Sequence, residues 1–277
     1  MPNHPLGNLN YYPSDKYTIK TPYLLVTMAG RGQRFKDAGY TEPKPFIKIE
    51  NQTLIAKLLE TFPKNWPTVF VVNSEDYKTE HKNYLKDIRP QAVIAEIKPN
   101  TNGPWETVMK GVESIPEDSP VFVTYCDYGQ IWKAEDFLNF IQAETDSDIG
   151  FVSYKGFHPH YLGPNMYCYL KVEGSTVIDI KEKECFSKNR EDDFASTGGY
   201  YFKTASLLKQ CLEQQKIQKL HWSGEYYTSL AIKAMMNIKP DLKISNYEIK
   251  TFLQWGTPED LKAYQYWADY FGSKKQL

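Results

Sequence analysis

No apolar run in the sequence approaches the roughly 20 residues that span a bilayer, which excludes a helical membrane anchor and leaves no membrane partner to expect. The opening, MPNHPLGNLNYYPSDK, lacks the basic-then-apolar order of a secretory leader, so a cytoplasmic location is expected. Net charge is also nearly absent. The 33 basic residues are set against 34 acidic ones, leaving -1. No global field would therefore hold the chain on nucleic acid or an anionic membrane, and any anion site must be local. Cysteine is scarce: Cys126, Cys168, Cys185 and Cys211 lie far apart and never form Cys-x-x-Cys. That spacing suggests neither a zinc knuckle nor a disulfide framework, and reduced thiols are expected. Histidine is equally sparse; His158-Pro159-His160 has no further His or Cys nearby and follows the loop-like Gly156-Phe157, so it is weak as a zinc site. Internal repeats and low-complexity blocks are missing as well.

What remains is 277 residues with 41% hydrophobic content, enough for a sizeable core and one large domain. Residues 1–22, rich in Pro, Asn, Tyr and Ser without periodicity, read as an N-terminal arm; residues 23–277 read as the domain. Within it, short apolar runs alternate with amphipathic stretches. YLLVTMA (23–29), TVFVV (68–72), AVIAEI (92–97) and VFVTYC (121–126) read as strands, with helices from about Thr53, Ser74 and Trp105 between them. This alternation predicts an α/β fold of Rossmann-like kind: a mixed, mainly parallel sheet flanked by helices. In the third helix, Trp105, Val108, Met109, Val112 and Ile115 share one face, which is the mark of core packing.

After about residue 130 the rhythm changes. DIGFVSY (148–154), MYCYLKVE (166–173), TVIDIKEK (176–183) and STGGYYFK (196–203) are strands with short turns, such as Glu173-Gly174-Ser175. Helices follow at about 204–218 and 225–236, then KISNYEIKTFLQW, and a closing helix whose start, TPEDL, places threonine at the N-cap, proline at N1 and acids in the first turn. The expected division is 23–130 as a nucleotide-binding half and 131–277 as a strand-rich, acceptor-binding half. The aromatics of YQYWADYF near the end suit a helix packed on the sheet or, if exposed, a contact in a homo-oligomer.

Ligands of open α/β sheets sit beyond the carboxyl ends of the strands, which points to residues just after Val26, Ile97 and Tyr125. After the first of these comes Met28-Ala29-Gly30-Arg31-Gly32-Gln33-Arg34. Glycines there let successive N–H groups turn inward to form an anion-binding concavity, and Arg34 and Lys44 can add charge-assisted bonds to phosphate oxygens. A Gly-x-Gly alone is equally a strand-ending turn with a solvated rim, and this one matches neither the P-loop nor the dinucleotide fingerprint. In the loop after the third strand, KPNTNGPWET, Asn100, Thr101 and Asn102 offer donors and acceptors to a base edge and Gly103 permits close approach, while Trp105 is either an aromatic wall or core.

Taken with Pro43-Lys44-Pro45-Phe46, the string MAGRGQRF…PKPFI resembles the Ala-Gly-Gly-x-Gly-x-Arg-Leu…Pro-Lys-Pro-Leu signature of sugar-1-phosphate nucleotidyltransferases. The resemblance implies the nucleotide-diphospho-sugar transferase fold, a loop (Met28 to Gln33) wrapped around a nucleoside triphosphate, Arg34 on the departing pyrophosphate, and Lys44 at the reacting phosphates. VFVTYCDYG resembles the family's strand ending in a metal-binding aspartate, which implies Asp127 as ligand to Mg2+. IKEKECF resembles the Glu-Lys-Pro segment and implies that Glu182 and Lys183 face the acceptor, although Glu184 replaces the proline. STGGYYF and GEYYTSL resemble segments that imply Gly199 and Glu225 beside the acceptor. FLQWGTPEDL resembles Asp-x-Gly-Thr-Pro-Glu-Asp-Leu, with Gln254 where the second metal carboxylate should stand. Either Asp127, phosphates and waters hold the metal, or another carboxylate substitutes, or catalysis is impaired.

The resemblance covers roughly residues 22–271 and implies an Mg-dependent nucleotidyltransferase that joins a nucleoside triphosphate to a phosphorylated small-molecule acceptor, in capsule or other surface-polysaccharide synthesis. Two rivals stand beside it. A nucleotide-sugar-dependent glycosyltransferase generally wants Asp-x-Asp, where this chain offers Asp127-Tyr128-Gly129. A nucleotide-binding regulatory protein that lost turnover is suggested by Gln254.

Overall fold

Tyr23-Leu24-Leu25-Val26-Thr27-Met28 forms a strand buried at all but its first residue, as a segment covered on both faces must be. The fold is described by a computed structural model over residues 19–99 and 103–274. In chain order, β1 (Tyr23–Met28) leads through helix α1 (Gln33–Asp37), a small hairpin of β2 (Lys48–Ile49) and β3 (Gln52–Thr53), and helix α2 (Leu54–Leu59) to β4 (Thr68–Asn73). Helix α3 (Thr79–Ile88) precedes β5 (Val93–Ile97), and α4 (Trp105–Val112) precedes β6 (Val121–Tyr125). Then come β7 (Tyr128–Ile131), α5 (Ala134–Leu138), β8 (Ile149–Tyr154), β9 (Cys168–Glu173), β10 (Thr176–Glu182), β11 (Phe194–Phe202), α6 (Ala205–Gln218), α7 (Thr228–Ile238), β12 (Ile244–Glu248), β13 (Thr251–Gln254) and α8 (Pro258–Lys274).

Nine strands form one sheet in the order β5-β4-β1-β6-β11-β8-β12-β10-β9, and β9 also pairs with β11. β1 pairs in parallel with β4 and β6, β4 with β5, and β8 with β12; β11 and β10 run against their neighbours. The sheet is therefore mixed, with every strand but β10 and β11 pointing the same way, and it is continuous across both halves of the chain. Alternation along the strands sends Leu24, Val26, Phe70, Val72 and Phe122 to one face, where Ile55, Leu58, Leu85 and Phe137 from α2, α3 and α5 cover them. Leu25, Val69, Val71, Val121 and Val123 face the other way, under Val108, Val112, Leu208, Leu212 and Ile232 of α4, α6 and α7. A third apolar cluster (Phe35, Ile47, Ile49, Leu54, Trp255, Leu261) seats α8 beside the β2–β3 hairpin.

Three boundaries depart from the sequence expectation for local reasons. The helix expected from about Ser74 starts at Thr79, because the Asn73 side chain accepts from the N–H of Glu75 (2.9 Å) and Asp76 (3.3 Å) and holds a turn first. The helix expected from residue 225 starts at Thr228, because Glu225 and Trp222 exchange backbone bonds of 2.9 Å. KISNYEIKTFLQW divides into β12, in the main sheet, and β13, which leaves it to pair with β7. The strand β7 has no apolar alternation to announce it; its partner creates it.

Candidate active site

The sheet order reverses at β1: β4 and β5 continue on one side of it and β6 returns on the other. Loops leaving the carboxyl ends of two such strands part company and leave a crevice. Here the crevice is a cleft of about 620 Å3, lined from β1 by Met28 to Arg34 and from β6 by Tyr125, Cys126 and Asp127.

The loop after β1 is anchored from below. Tyr77 donates from its hydroxyl to Met28 O at 2.7 Å, and Phe35 is buried in the cluster under α8. Gly32 takes φ 61° at the start of α1, a left-handed conformation that favours glycine, and its carbonyl accepts from Phe35 N (3.0 Å) and Lys36 N (3.2 Å). A Cβ on Gly30 would meet nothing within 4 Å, so open space stands over it. Arg31, Gln33 and Arg34 are exposed and line the cleft, while Met28 and Ala29 are buried beneath.

Pro43-Lys44-Pro45-Phe46 makes a short 3-10 turn whose Phe46 ring is buried against Tyr77, His81 and Tyr84. With that ring pinned, Lys44 reaches across the cleft: its Nζ donates to Asp127 Oδ2 at 2.5 Å and to Gly256 O at 3.2 Å. Asp127 sits between β6 and β7, and its carbonyl accepts from Trp255 N at 3.0 Å, which ties it to the end of β13. Gln254 faces Tyr128 in the β7–β13 ladder and also lines the cleft. Its Nε2 donates to Asp260 Oδ2 at 2.7 Å, and among the described residues its buried Oε1 has no hydrogen-bond partner. A carboxylate only accepts, so the Asp260 contact fixes which end of the amide is the nitrogen and leaves Oε1 as the acceptor. Thr257 Oγ1 also donates to Asp260, at 2.7 Å.

On the β9–β11 side the cleft is lined by Glu182, Glu225, Tyr200 and Tyr227. Glu182, at the end of β10, is only 6% exposed. Ser229 donates to its Oε2 at 2.5 Å, and burial pushes its carboxyl up to about 7. Lys183, in a left-handed conformation (φ 55°), does not line the cleft; its Nζ donates to Tyr227 OH at 2.5 Å, and Tyr227 OH in turn donates to Glu225. Burial, followed by the Glu225 contact, raises the Tyr227 phenol.

Most of the residues singled out in the sequence thus meet in one cleft: Met28, Ala29, Gly30, Arg31, Gly32, Gln33, Arg34, Lys44, Gly103, Asp127, Glu182 and Glu225. Gly103 (φ 81°) lies so close to the other half that a Cβ would stand 2.9 Å from Tyr226 N and 3.1 Å from Glu225 Cβ. Gly199 lies beneath the floor, where a Cβ would meet Phe122 and Tyr128; its neighbour Gly198 (φ 90°) lines the cleft, over the Tyr125 ring. A bulge between Ser196 and Gly199 separates the two, and the doubled glycine was its signal. Asn100, Thr101 and Asn102 lie outside the described residues, as do residues 1–18 of the arm. Trp105 packs half-buried against the core and does not line the cleft: its Nε1 donates to Leu212 O at 2.8 Å and Lys216 lies over its ring. Tyr227 and Ser229, close after Glu225, were missed; side chains that act by supporting others carry no motif.

His158 and His160 are tied into the wall. Tyr154 OH lies 3.0 Å from His160 Nε2, the two Nδ1 atoms are 2.7 Å apart, and His158 Nε2 lies 3.0 Å from Phe252 O. Burial pushes His160 down to about 3 and lowers His158 too, so both are neutral at pH 7. Among the described residues, no cluster of three or more His, Cys, Asp or Glu has metal-site geometry.

Comparison with known proteins agrees with the fold. The family described as "MobA-like NTP transferase domain" matches residues 24–176. No curated protein matches the chain in sequence. Among solved structures, a nucleoside-diphosphate-sugar pyrophosphorylase from Vibrio cholerae superposes with a TM-score of 0.69 at 23% identity, covering 88% of this chain and 99% of its own. An inositol-1-phosphate CTP transferase from T. maritima gives 0.66 at 15% identity, covering 90% and 95%. At such identities the likeness is one of fold. Among the described residues, no helix is long and apolar enough to cross a membrane.

Proposed function

The chain belongs to the MobA-like NTP transferase domain family, and from that premise we propose that it transfers a nucleotidyl group from a nucleoside triphosphate to a phosphorylated small-molecule acceptor, releasing pyrophosphate. An acceptor phosphate oxygen attacks the α-phosphorus in line; the bond from that phosphorus to the oxygen bridging to the β-phosphate breaks, and its electrons leave with pyrophosphate. No protein nucleophile is needed, so the work is positioning and charge stabilisation. Arg31 and Arg34 face the β- and γ-phosphates over the glycine loop, and Lys44 neutralises charge at the reacting phosphates. Glu182, Lys183, Gly199 and Glu225 serve the acceptor, Gly199 through the bulge it shares with Gly198. Gly103 and Asn102 serve the base.

The donor set suits Mg2+, which takes one or two carboxylates plus phosphate oxygens. Asp127 would supply the charge, and Gln254, whose amide is oriented by Asp260 and which lines the same cleft, would offer a neutral oxygen in its Oε1. When bound, the ion supplies positive charge at the phosphate oxygens. Lys44 must first turn from Asp127 toward the phosphates. Names among the structural neighbours, a nucleotide-sugar pyrophosphorylase and an inositol-1-phosphate CTP transferase, support sugar or polyol phosphates as acceptors. The loop resemblance extends the reading to cytoplasmic synthesis of capsule or other surface-polysaccharide precursors.

The observation that carries this is the Lys44–Asp127 pair beside a glycine loop at the β1/β6 switch point. The test is pyrophosphate release from each common nucleoside triphosphate with a panel of phosphorylated acceptors, with and without Mg2+. Metal-dependent release with one triphosphate supports the proposal. Binding of nucleotide sugars alone, or no release with any pair, refutes it.

A further inference from the structure

We infer that the acceptor carries an ammonium group as well as its phosphate, and that Glu182 and Glu225 receive that group among the tyrosine rings of the cleft. This rests on the nucleotidyltransfer reading and narrows its second substrate. The cleft is bipolar. Its lining cations, Arg31, Arg34 and Lys44, all belong to the β1 side; on the β9–β11 side the charged residues that line it are Glu182 and Glu225. Lys183, next to Glu182 in sequence, is turned to the Tyr227 hydroxyl and ring.

Glu182 presents the sharper demand. Its carboxylate is nearly inaccessible, yet among the described residues the one hydrogen bond it receives comes from a neutral hydroxyl, Ser229 Oγ. Lys183 acts on it only through space, without a hydrogen bond, and that attraction is outweighed by burial. A buried carboxylate with no hydrogen-bonded cation is costly and either takes up a proton or recruits a cation. Burial raises its pKa, which is the first of these responses. A neutral sugar hydroxyl would supply a hydrogen bond but no charge. An ammonium supplies both, and Tyr125 and Tyr200 line the cleft alongside Glu182, while the Tyr227 ring is already covered by Lys183. The acceptor's phosphate would then point to the basic loop and its ammonium to the acidic end, which sets its orientation.

Two pairs of probes differ chiefly in ammonium against hydroxyl: glucosamine 1-phosphate with glucose 1-phosphate, and phosphoethanolamine with ethylene glycol monophosphate. They separate an amino sugar from an amino alcohol. Pyrophosphate release is measured for each with the preferred triphosphate, and triphosphate binding is followed separately by thermal shift. In at least one pair the ammonium member is expected to exceed its partner in kcat/KM by about 30-fold. E182Q and E225Q are expected to shrink that ratio to about threefold or less while the triphosphate-induced thermal shift persists. Equal or better use of the hydroxyl members overturns the inference and leaves nucleotidyltransfer standing. Triphosphate binding with no response to any of the four probes also overturns it. Failure of every triphosphate to bind removes the functional reading and this inference together.

Discussion

Glu182→Gln removes a buried charge while keeping an oxygen for Ser229 Oγ to bond, and it is expected to stabilise the ligand-free protein in a pH-dependent way. Burial raises the folded-state pKa from 4.5 to about 7. The folded protein therefore binds more protons than the unfolded chain between those values, and its stability falls as pH rises through that window. Below pH 4.5 both states are protonated and the variant gains nothing from this source. Using 1.36 kcal/mol per pH unit, wild type should trail the variant by roughly 1 kcal/mol at pH 5 and roughly 3 kcal/mol at pH 8. In midpoint temperature, at about 2 °C per kcal/mol for a chain of this size, the advantage grows by roughly 4 °C across that range. Urea or thermal unfolding of both proteins at pH 5, 6.5 and 8 measures it. An advantage that is flat with pH, or a variant that is less stable at pH 8, would show that Glu182 is already ionised and compensated, and the demand for a cation would vanish.

Lys44→Ala should lower turnover by about 10²- to 10³-fold while changing unfolding free energy by about 1 kcal/mol or less, because its partner Asp127 retains solvent contact; pyrophosphate release and urea unfolding of one preparation test both halves. Asp127→Asn should weaken Mn2+ binding in the presence of nucleotide by at least about tenfold, read by electron paramagnetic resonance; unchanged binding would move the metal elsewhere. Gly198→Ala places a Cβ about 2.5 Å from Tyr125 Cδ2 in a left-handed backbone, so a loss of about 2–4 kcal/mol is expected on unfolding. Gly30→Ala meets only open space and should stay within about 0.5 kcal/mol of wild type while weakening triphosphate binding in the thermal shift.

The first half of the fold was legible because its main strands are short, largely apolar runs and its helices carry one apolar face, so period and polarity agree. The cleft residues near β1 and β6 were legible because glycines and a carboxylate at strand ends are physically conspicuous. β7 was not, since Tyr128-Gly129-Gln130-Ile131 becomes a strand only by pairing with β13, more than a hundred residues later. Gln254 was hidden at short range instead: its orientation depends on Asp260, six residues on in the first turn of α8. The choice of Gly199 over Gly198 turned on a bulge, and a bulge shifts side chains between faces without altering composition.

The 2.5 Å contact between Lys44 and Asp127 also decides what the resting cleft ignores. With no ligand the two charges cancel each other. An anion that drew Lys44 away on its own would strand Asp127, and a cation that drew Asp127 away would strand Lys44, each at the cost of an uncompensated, partly buried charge. A ligand that brings both signs at once, as a metal-chelated triphosphate does, replaces each partner as it leaves. Under the proposed function, the pair would therefore favour a ligand carrying both signs over free phosphate or free metal, by no more than the roughly 1 kcal/mol expected for losing Lys44.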